Sequence, residues 1–436
     1  MSDKKIKLVY DATIILNGIK NNSSRSGIFF TALNILKEIY KNDNIDLYLY
    51  CNIAKVNDLE QVLKNEIGNK TFKFALPFES TIYSKLKKEK SKLKKEGKKI
   101  QKSLLQLIVI PFSIINRLLQ IIYLPLNVFY FKKFDAFLSP VFKIPKYIYC
   151  KKYNILYDLI PLVLQKYHVD TFKKGNWLYD LCQTLNSKDY YFAISDTTKN
   201  DFLKYYPKIN PNNFKTTLLA CDKKFKPINI DIVQKVKQKY NIPQDKKYVF
   251  SLCTLEPRKN LIRAVKTFIQ FIQKNNIDNM YFVLGGGHWE SFINKIEQEI
   301  ENLGDYKDKI IKAGYVDDED LPALYSGAEW FVYTSMYEGF GLPPLEAMSC
   351  GCPVITSNNT SLPEVVGDAG IMIDWDSDEQ HIEAYEQYYF NNELREQNRQ
   401  KGLDRAKLFS WEKCATEILN TIRKNYAENI SNNTGL

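Results

Sequence analysis

The fold of this chain is decided by the stretch Glu338-Gly339-Phe340-Gly341-Leu342-Pro343-Pro344-Leu345-Glu346, which follows the apolar run 330–333. That run predicts a buried strand, and the two glycines after it permit a tight turn or a close approach of ligand to backbone. The two prolines suit the first turn of a helix, where a missing N–H costs little. We therefore predict that Glu338 lies on the loop at a strand's carboxyl end and that Glu346 lies in the first turns of the next helix.

This placement brings two carboxylates and free backbone N–H groups to the edge at which open α/β sheets bind ligands. A helix start attracts phosphate, and carboxylate oxygens accept hydrogen bonds from sugar hydroxyls. A ligand that has both groups, such as a nucleotide sugar, fits the pair. The spacing alone is also compatible with an ordinary strand–turn–helix unit whose glutamates are solvated, and for an arbitrary pair of glutamates this is the commoner case.

The chain has 436 residues, which is enough for two domains of ordinary size, and its apolar content of 45% is normal for a globular protein. The net charge is +11, and the segment from Lys85 to Lys102 contributes +8 of it through ten lysines and only two glutamates. The remainder is nearly balanced. The composition therefore excludes a broadly basic nucleic-acid binder.

Eight cysteines occur without a CxxC pair, and the chain has only three histidines. These residues predict no zinc site, and free thiols in a reducing cytoplasm are the simplest interpretation. The amino terminus leads into a short apolar run that is already interrupted by Asp11. We interpret this run as a first strand and not as a signal peptide.

Strands and helices alternate in both halves of the chain, which predicts parallel sheets covered by helices. The predicted strands are 6–10, 45–50, 136–138, 153–157, 191–194, 248–252, 280–284, 310–313 and 330–333, and the predicted helices include 29–40, 261–274 and 290–302. Length and pattern together predict an α/β protein with two Rossmann-like domains facing each other across a cleft. We place the first domain at 1–225 and the second at 226–408.

The sequence around the glutamate pair resembles the C-terminal half of family 4 retaining glycosyltransferases. The similar segments are Gly314-Tyr315-Val316, 321–328, 347–357 and 362–370. The resemblance is dense from Tyr248 to Asp374, weaker from Lys7 to Pro227, and not detectable from about Lys85 to Tyr130. It implies the GT-B fold, in which the last helix, here within 409–436 and followed by a polar tail, returns to the first domain. It also implies sugar transfer from a nucleoside-diphosphate donor without a metal or other cofactor.

The same resemblance implies roles for the residues of the motif. Glu338 would contact the transferred sugar or support the positive charge that forms on it, and Glu346 would hold the ribose hydroxyls. Backbone contacts to sugar and phosphate would come from Gly339, Phe340, Gly341 and Leu342.

A second motif, 254–261, follows the first predicted strand of the second domain and contains Arg258 and Lys259. Both cations should emerge on the same sheet edge as Glu338, where a planar guanidinium and a compact ammonium suit a diphosphate. Two solvated cations at a helix start are the alternative. Cys253 stands where many family members have glycine. The Pro-Arg-Lys-Asn pattern resembles a branch of mannosyl- and rhamnosyltransferases of cell-surface polysaccharide or O-antigen assembly, in which Arg258 would supply the second charge.

The first domain contributes weaker signals. The segment 26–30 resembles the family's glycine loop, in which Gly27 would let backbone N–H groups approach a ligand; a plain turn is equally compatible. Tyr157 and Asp158 resemble the family's His-Asp-Leu element near the transferred sugar, with tyrosine in place of histidine. Tyrosine is a poor base near neutral pH, because its reference pKa is about 10. Asp158 is a candidate catalytic residue or a loop cap, and Ser195 is a predicted N-cap.

Within the first domain, between the segment 26–30 and Tyr157, the basic run 85–102 is followed by a mostly apolar stretch that ends at Phe131. Its uncharged parts are about 14 residues long, which is shorter than the roughly 18–20 needed to span a bilayer. A lysine-rich helix beside an apolar one suits an anionic membrane surface. The alternative is a solvated helix followed by a core helix of the first domain.

From these features we predict a retaining, metal-independent glycosyltransferase. It would move mannose, rhamnose or glucose from a GDP-, UDP- or dTDP-sugar to a glycan or lipid-linked acceptor, in the cytoplasm or at the inner face of the cell membrane. One alternative is a catalytically silent homologue that binds nucleotide sugar and scaffolds a membrane assembly. Another is a phosphorylase-like enzyme with lysine-bound pyridoxal phosphate.

Overall fold

The computed structural model describes residues 5–20, 27–78, 121–166, 171–254, 256–286 and 290–434, which form two parallel sheets. The strands of the first sheet are β1 (Ile6–Asp11), β2 (Ile45–Tyr50), β3 (Lys73–Phe74), β4 (Ala136–Ser139), β5 (Lys151–Leu156), β6 (Tyr190–Ala193) and β7 (Phe214–Thr216). The strands of the second sheet are β8 (Lys247–Leu252), β9 (Met280–Gly285), β10 (Ile310–Gly314), β11 (Trp330–Tyr333), β12 (Val354–Ser357) and β13 (Gly370–Ile373).

Both sheets have the strand order of doubly wound folds. The first runs β3-β2-β1-β4-β5-β6-β7 and the second runs β10-β9-β8-β11-β12-β13. The order reverses between β1 and β4 and between β8 and β11, and a ligand crevice forms outside the carboxyl ends of the strands at such a point. All four residues of β11 are buried, as expected of a strand covered by helices on both faces. The prediction of two α/β domains is confirmed.

Helices cover both sheets. The α-helices are Thr13–Lys20, Gly27–Tyr40, Val56–Ile67, 121–131, Ile160–Val163, Trp177–Cys182, Asp196–Tyr205, Ile230–Lys239, Leu261–Lys274, Glu290–Glu301, Leu321–Gly327, Leu342–Ser349, Leu362–Val366, Asp378–Phe390, Asn392–Ala406 and Trp411–Thr434. The 3₁₀ turns are Ile53–Lys55, Pro211–Asn213, Pro257–Lys259 and Gly304–Lys309. The predicted boundary at 225–226 falls between β7 and the helix Ile230–Lys239.

The last helix, Trp411–Thr434, lies against the first domain. The Lys151 ammonium donates to the Asn425 carbonyl at 2.8 Å, and the Arg423 guanidinium donates to the Asn42 side chain at 2.8 Å. The helix extends further into the predicted polar tail than expected. No proline or glycine interrupts the sequence before Gly435, so the helix has no breaker within this polar stretch.

Most of the predicted basic and apolar insertion, residues 85–120, lies outside the described residues. Its end, 121–131, is a helix whose Asn127 side chain exchanges two hydrogen bonds with the backbone of Phe78, at 2.7 and 3.0 Å. Phe131 is buried, whereas Phe129 is 82% exposed. Within the described ranges, every helix is too short or too polar to cross a membrane.

Candidate active site

A cavity of about 700 Å³ lies between the two domains, lined by residues that follow the carboxyl ends of strands in both sheets. Its first-domain wall includes Gly27, Tyr157 and Asp158, and its second-domain wall includes Arg258, Lys259, the 338–342 turn and Glu346. All eleven residues predicted for the site therefore line one cavity. The volume lies within the range of about 300–1,000 Å³ typical of small-molecule sites.

The Glu338 turn follows β11, and the helix Leu342–Ser349 carries Glu346, as predicted. Gly341 has a φ of +114°, a conformation that L side chains rarely adopt, and an added Cβ would lie 2.8 Å from Leu362. The Ser361 hydroxyl bonds the carbonyls of Glu338 and Phe340 at 3.0 and 2.8 Å. The predictions missed Ser361, since nothing in its local sequence indicates that it holds this turn.

Glu338 is the centre of a buried group of charges. Its Oε1 lies 2.8 Å from Arg258 Nη1 and 2.7 Å from Lys259 Nζ. Burial acts to raise the pKa of Glu338, but the adjacent Lys259 and Arg258 outweigh it and lower the pKa to about 2. The carboxylate is therefore ionised at neutral pH, with two cations already in place beside it.

Arg258 has a second carboxylate partner that the sequence analysis did not assign. Its Nη2 lies 2.5 Å from Glu256 Oε1, and its Nη1 also donates to the Tyr337 carbonyl at 2.6 Å. Burial acts to lower the pKa of Arg258, while Glu338 and Glu256 raise it further above its usual range. The buried Nε–H of Arg258 has no acceptor among the described residues, so one donor of the guanidinium is unused.

Glu346 has a different environment from Glu338. It is half-buried, and its hydrogen bond comes from the neutral Tyr325 hydroxyl at 3.1 Å. Burial raises the pKa of Glu346 to about 7, and the Tyr325 bond only partly opposes this. A substantial fraction of Glu346 is therefore protonated near neutral pH.

On the first-domain wall, Tyr157 and Asp158 follow β5. Burial raises the pKa of Tyr157 well above its usual range, so the hydroxyl keeps its proton and can donate it to an acceptor. Burial also raises the pKa of Asp158, and the neighbouring Arg258 opposes this. Asp158 caps its own loop by accepting from the Ile160 N–H at 3.2 Å. It also reaches across the cleft, because a Cβ on Gly339 would lie 2.6 Å from Asp158 Cβ.

Gly27 is the first residue of its helix, whereas the resemblance implies a place in a loop. An added Cβ on Gly27 would lie 3.4 Å from Leu342 Cδ1, so the helix start faces the donor-side turn. Ser26 lies outside the described residues. The start of this helix lies at the cavity and has backbone N–H groups without a partner in the helix. It is the described part of the predicted glycine element.

Contacts between the domains surround the site. Ser195 is the predicted N-cap, accepting from Thr198 N–H at 3.0 Å, and its hydroxyl also donates to the Gly339 carbonyl at 2.7 Å. The Glu364 carboxylate of the second domain accepts from the backbone N–H groups of Asp196 and Thr197 at 2.6 and 2.8 Å. Sequence reasoning included Glu364 in a similar segment but gave it no role. These bonds hold the Glu338 turn against the first domain.

Comparisons with known proteins agree with this architecture. Residues 233–405 match the family described as Glycosyl transferases group 1. The O-antigen chain mannosyltransferase B of Escherichia coli is 37% identical over 244 residues, which is 56% of this chain and 62% of that protein. The chain thus spans less than two thirds of that relative's length.

Two solved structures share the fold over almost the whole chain. Anabaena Alr3699/HepE in complex with UDP and glucose has a TM-score of 0.65 at 14% identity, covering 96% of this chain and 99% of that one. WaaG, a glycosyltransferase involved in lipopolysaccharide biosynthesis, has a TM-score of 0.58 at 13% identity, covering 96% and 99%. The chain therefore has the predicted GT-B fold, and residues 233–405, which make up most of its second domain, are similar to the glycosyl transferases group 1 family.

Proposed function

We propose that this chain is a retaining glycosyltransferase that moves a hexose from a nucleoside-diphosphate sugar to a glycan or lipid-linked glycan in cell-surface polysaccharide assembly. The observation that carries the proposal is the single cavity in which Arg258, Lys259, Glu338 and Glu346 of one domain face Asp158 of the other. The name of the Escherichia coli relative favours mannose among mannose, rhamnose and glucose.

The second-domain wall would hold the donor. Arg258 and Lys259 suit the diphosphate, and the unused Nε–H of Arg258 offers a phosphate oxygen a hydrogen bond without breaking an existing one. Pro343 and Pro344 have no N–H, so the backbone N–H groups at this helix start come from the turn Gly339-Phe340-Gly341-Leu342. Glu346 would accept hydrogen bonds from the ribose hydroxyls. Because these side chains meet the phosphate charge, the proposal requires neither a metal ion nor another cofactor.

The chemistry would depend on charge placement. As the glycosyl bond breaks, negative charge develops on the leaving diphosphate and positive charge on the anomeric carbon. The fixed cations would stabilise the first, and the ionised Glu338 would stabilise the second. In the same-face reaction of the family, the acceptor oxygen bonds to the anomeric carbon from the side on which the diphosphate leaves, so the sugar keeps its anomeric configuration. The leaving phosphate accepts the proton of the acceptor hydroxyl. Near the transferred sugar, Tyr157 would donate a hydrogen bond and Asp158 would bind the sugar.

We also propose attachment to an anionic membrane surface. The helix 121–131 exposes apolar side chains and is followed directly by two exposed lysines; the residues are Ile121, Ile122, Leu124, Leu126, Phe129, Lys132 and Lys133. Apolar side chains beside cations suit a layer of anionic headgroups. Flotation with anionic vesicles should recover the protein, and salt should reduce that recovery. Equal recovery with neutral vesicles would contradict the electrostatic part.

The test of the donor is a thermal-shift screen against UDP-, GDP- and dTDP-sugars. A ligand that binds only the folded state at about 100 times its Kd adds about 2.7 kcal/mol of stability, so the right donor should stand out. An acceptor series with that donor, followed by NMR of the product's anomeric configuration, tests transfer and retention. Binding without transfer to any acceptor would favour the silent scaffold, and a chain that no nucleotide sugar stabilises would contradict both.

A further inference from the structure

Three polar groups on the first-domain side of the cavity are buried without a hydrogen-bond partner among the described residues. They are the hydroxyls of Thr31 and Tyr157 and the indole N–H of Trp411. All three residues line the cavity. Thr31 and Tyr157 are 1% and 5% exposed, so bulk water does not satisfy them. Buried polar groups in native proteins are nearly always paired, and each exception calls for an explanation.

The three groups come from separate parts of the chain that meet at one place. Thr31 lies on the helix Gly27–Tyr40, Tyr157 follows β5, and Trp411 begins the last helix. The Thr31 hydroxyl lies near enough to the Tyr157 hydroxyl to lower its pKa, although the two do not reach hydrogen-bond geometry. Cys414, about one helical turn beyond Trp411, raises the same pKa. The Tyr157 side chain is therefore close to both helices. The return of the last helix to the first domain completes this cluster.

The chemistry of the cluster is neutral. An indole N–H only donates, whereas threonine and tyrosine hydroxyls donate and accept. None of the three groups carries a charge, so the cluster suits a ligand with hydroxyls better than a phosphate or a carboxylate. Phe30 and Trp411 also line the cavity and offer aromatic surface for the C–H faces of a sugar ring.

We infer that Thr31, Tyr157 and Trp411 form a subsite that binds the hydroxyls of a carbohydrate opposite the Glu338 turn. This inference rests on the proposed function and extends it from Tyr157 to Thr31 and Trp411, which the family motifs do not include. The carbohydrate is either the transferred sugar of the donor or the terminal sugar of the acceptor. In both cases the hydroxyls of the ligand supply the missing hydrogen-bond partners.

The experiment compares Thr31→Val, Tyr157→Phe and Trp411→Phe with wild-type protein and with Thr217→Val. Thr217 is a matched control, because its hydroxyl is also buried without a described partner but does not line the cavity. For each protein, calorimetry gives the Kd of the nucleoside diphosphate and of the corresponding nucleotide sugar. Kinetics give the KM of donor and acceptor, and thermal unfolding monitors the fold.

We expect Tyr157→Phe and Thr31→Val each to weaken carbohydrate binding about 3- to 10-fold, the range for one neutral hydrogen bond. A larger Kd for the nucleotide sugar with an unchanged Kd for the diphosphate assigns the subsite to the transferred sugar. A larger KM for the acceptor alone assigns it to the acceptor. Thr217→Val should change neither.

If the wild-type protein is active and the variants differ from it only in melting temperature, the inference is overturned. A buried water would then account for the three groups. The proposed function would still stand in that case. Wild-type protein that neither binds a nucleotide sugar nor transfers would remove the proposed function and the inference together.

Discussion

On the second-domain wall of the cavity, Glu338 lies within 2.8 Å of Arg258 and Lys259. On the first-domain wall, the hydroxyls of Thr31 and Tyr157 have no partner among the described residues. The first set of groups is charged and paired before any ligand binds. The second set is neutral and unpaired.

The difference follows from the cost of burial. An unpaired buried charge costs far more than an unpaired hydroxyl, so charged groups must neutralise one another in the free protein. A neutral hydroxyl can stay unpaired for about 1–3 kcal/mol. The charged wall is therefore preorganised for the phosphate groups that we propose it binds, and the opposite wall would gain its hydrogen bonds from the ligand. This predicts larger kinetic effects for variants of the charged wall.

The largest expected effect is that of Glu338→Gln. The neutral side chain cannot support positive charge on the sugar, so we expect kcat to fall about 10²- to 10³-fold. Removing one partner of a buried ion pair costs about 3–5 kcal/mol, so the melting temperature should fall as well. Kinetics must therefore be measured well below the melting temperature of the variant. Turnover at the wild-type rate by folded protein would contradict the role given to Glu338.

Glu256→Gln tests whether Arg258 depends on its second carboxylate. A hydrogen bond to a charged group contributes about 1.5–3 kcal/mol, so we expect donor kcat/KM to fall about 10- to 100-fold. Asp376→Asn is the control, because Asp376 pairs with Arg263 on the exposed surface, where such a pair contributes at most about 1 kcal/mol. Equal effects of the two substitutions would show that Glu256 does not position Arg258.

The second-domain wall was predictable because its residues lie in two short segments with local signals. Glycines and prolines after a buried strand indicated the Glu338 turn and the next helix, and strand order alone then brings Arg258 beside it. The partners of Glu256 and Glu364 were not predictable, since each depends on a backbone geometry that no local pattern fixes.

Tyr157 was predicted as a site residue, but its grouping with Thr31 and Trp411 was missed for a related reason. Its members lie far apart in the sequence, and only the packing of the last helix brings them together. Thr31 and Trp411 belong to no motif of spacing or charge, and the element that contains Tyr157 does not indicate either of them. Unpaired polar atoms become visible only when the hydrogen bonds of the folded chain are known.

Within the charged wall, pH should separate the two glutamates. The pKa of Glu346 is raised to about 7, so the folded state binds a proton that the unfolded chain releases above about 4.5. This group therefore stabilises the fold fully below about pH 4.5, and the contribution is lost as pH rises through about 7. Glu338, with a pKa lowered to about 2, stays ionised throughout that window.

In the proposed function, ribose hydroxyls would donate to the ionised form of Glu346, so nucleotide affinity should rise with pH below about 7 and then level off. Each pH unit below the pKa changes the ionised fraction about tenfold, which sets the upper limit of the effect. Calorimetric Kd values between about pH 6 and about pH 8 measure it. Glu346→Gln should give a flat profile, and an equally steep profile in that variant would assign the titration to another group.

The smallest expected effect concerns the contact between the two walls. The Glu364 carboxylate bonds two backbone N–H groups at the start of the helix Asp196–Tyr205, and Ser195 next to them holds the Gly339 carbonyl. Glu364→Gln keeps the shape but replaces charged acceptors by a neutral one, which should favour an open cleft. We expect a larger radius of gyration by X-ray scattering in the free protein, and a several-fold rise in donor KM that saturating donor overcomes.

Glu386→Gln is the matched control, because Glu386 bonds Asn275 within the second domain. If the Glu364 and Glu386 variants scatter alike, the two walls are held together by other contacts, and the free protein is preorganised on both sides of the cavity.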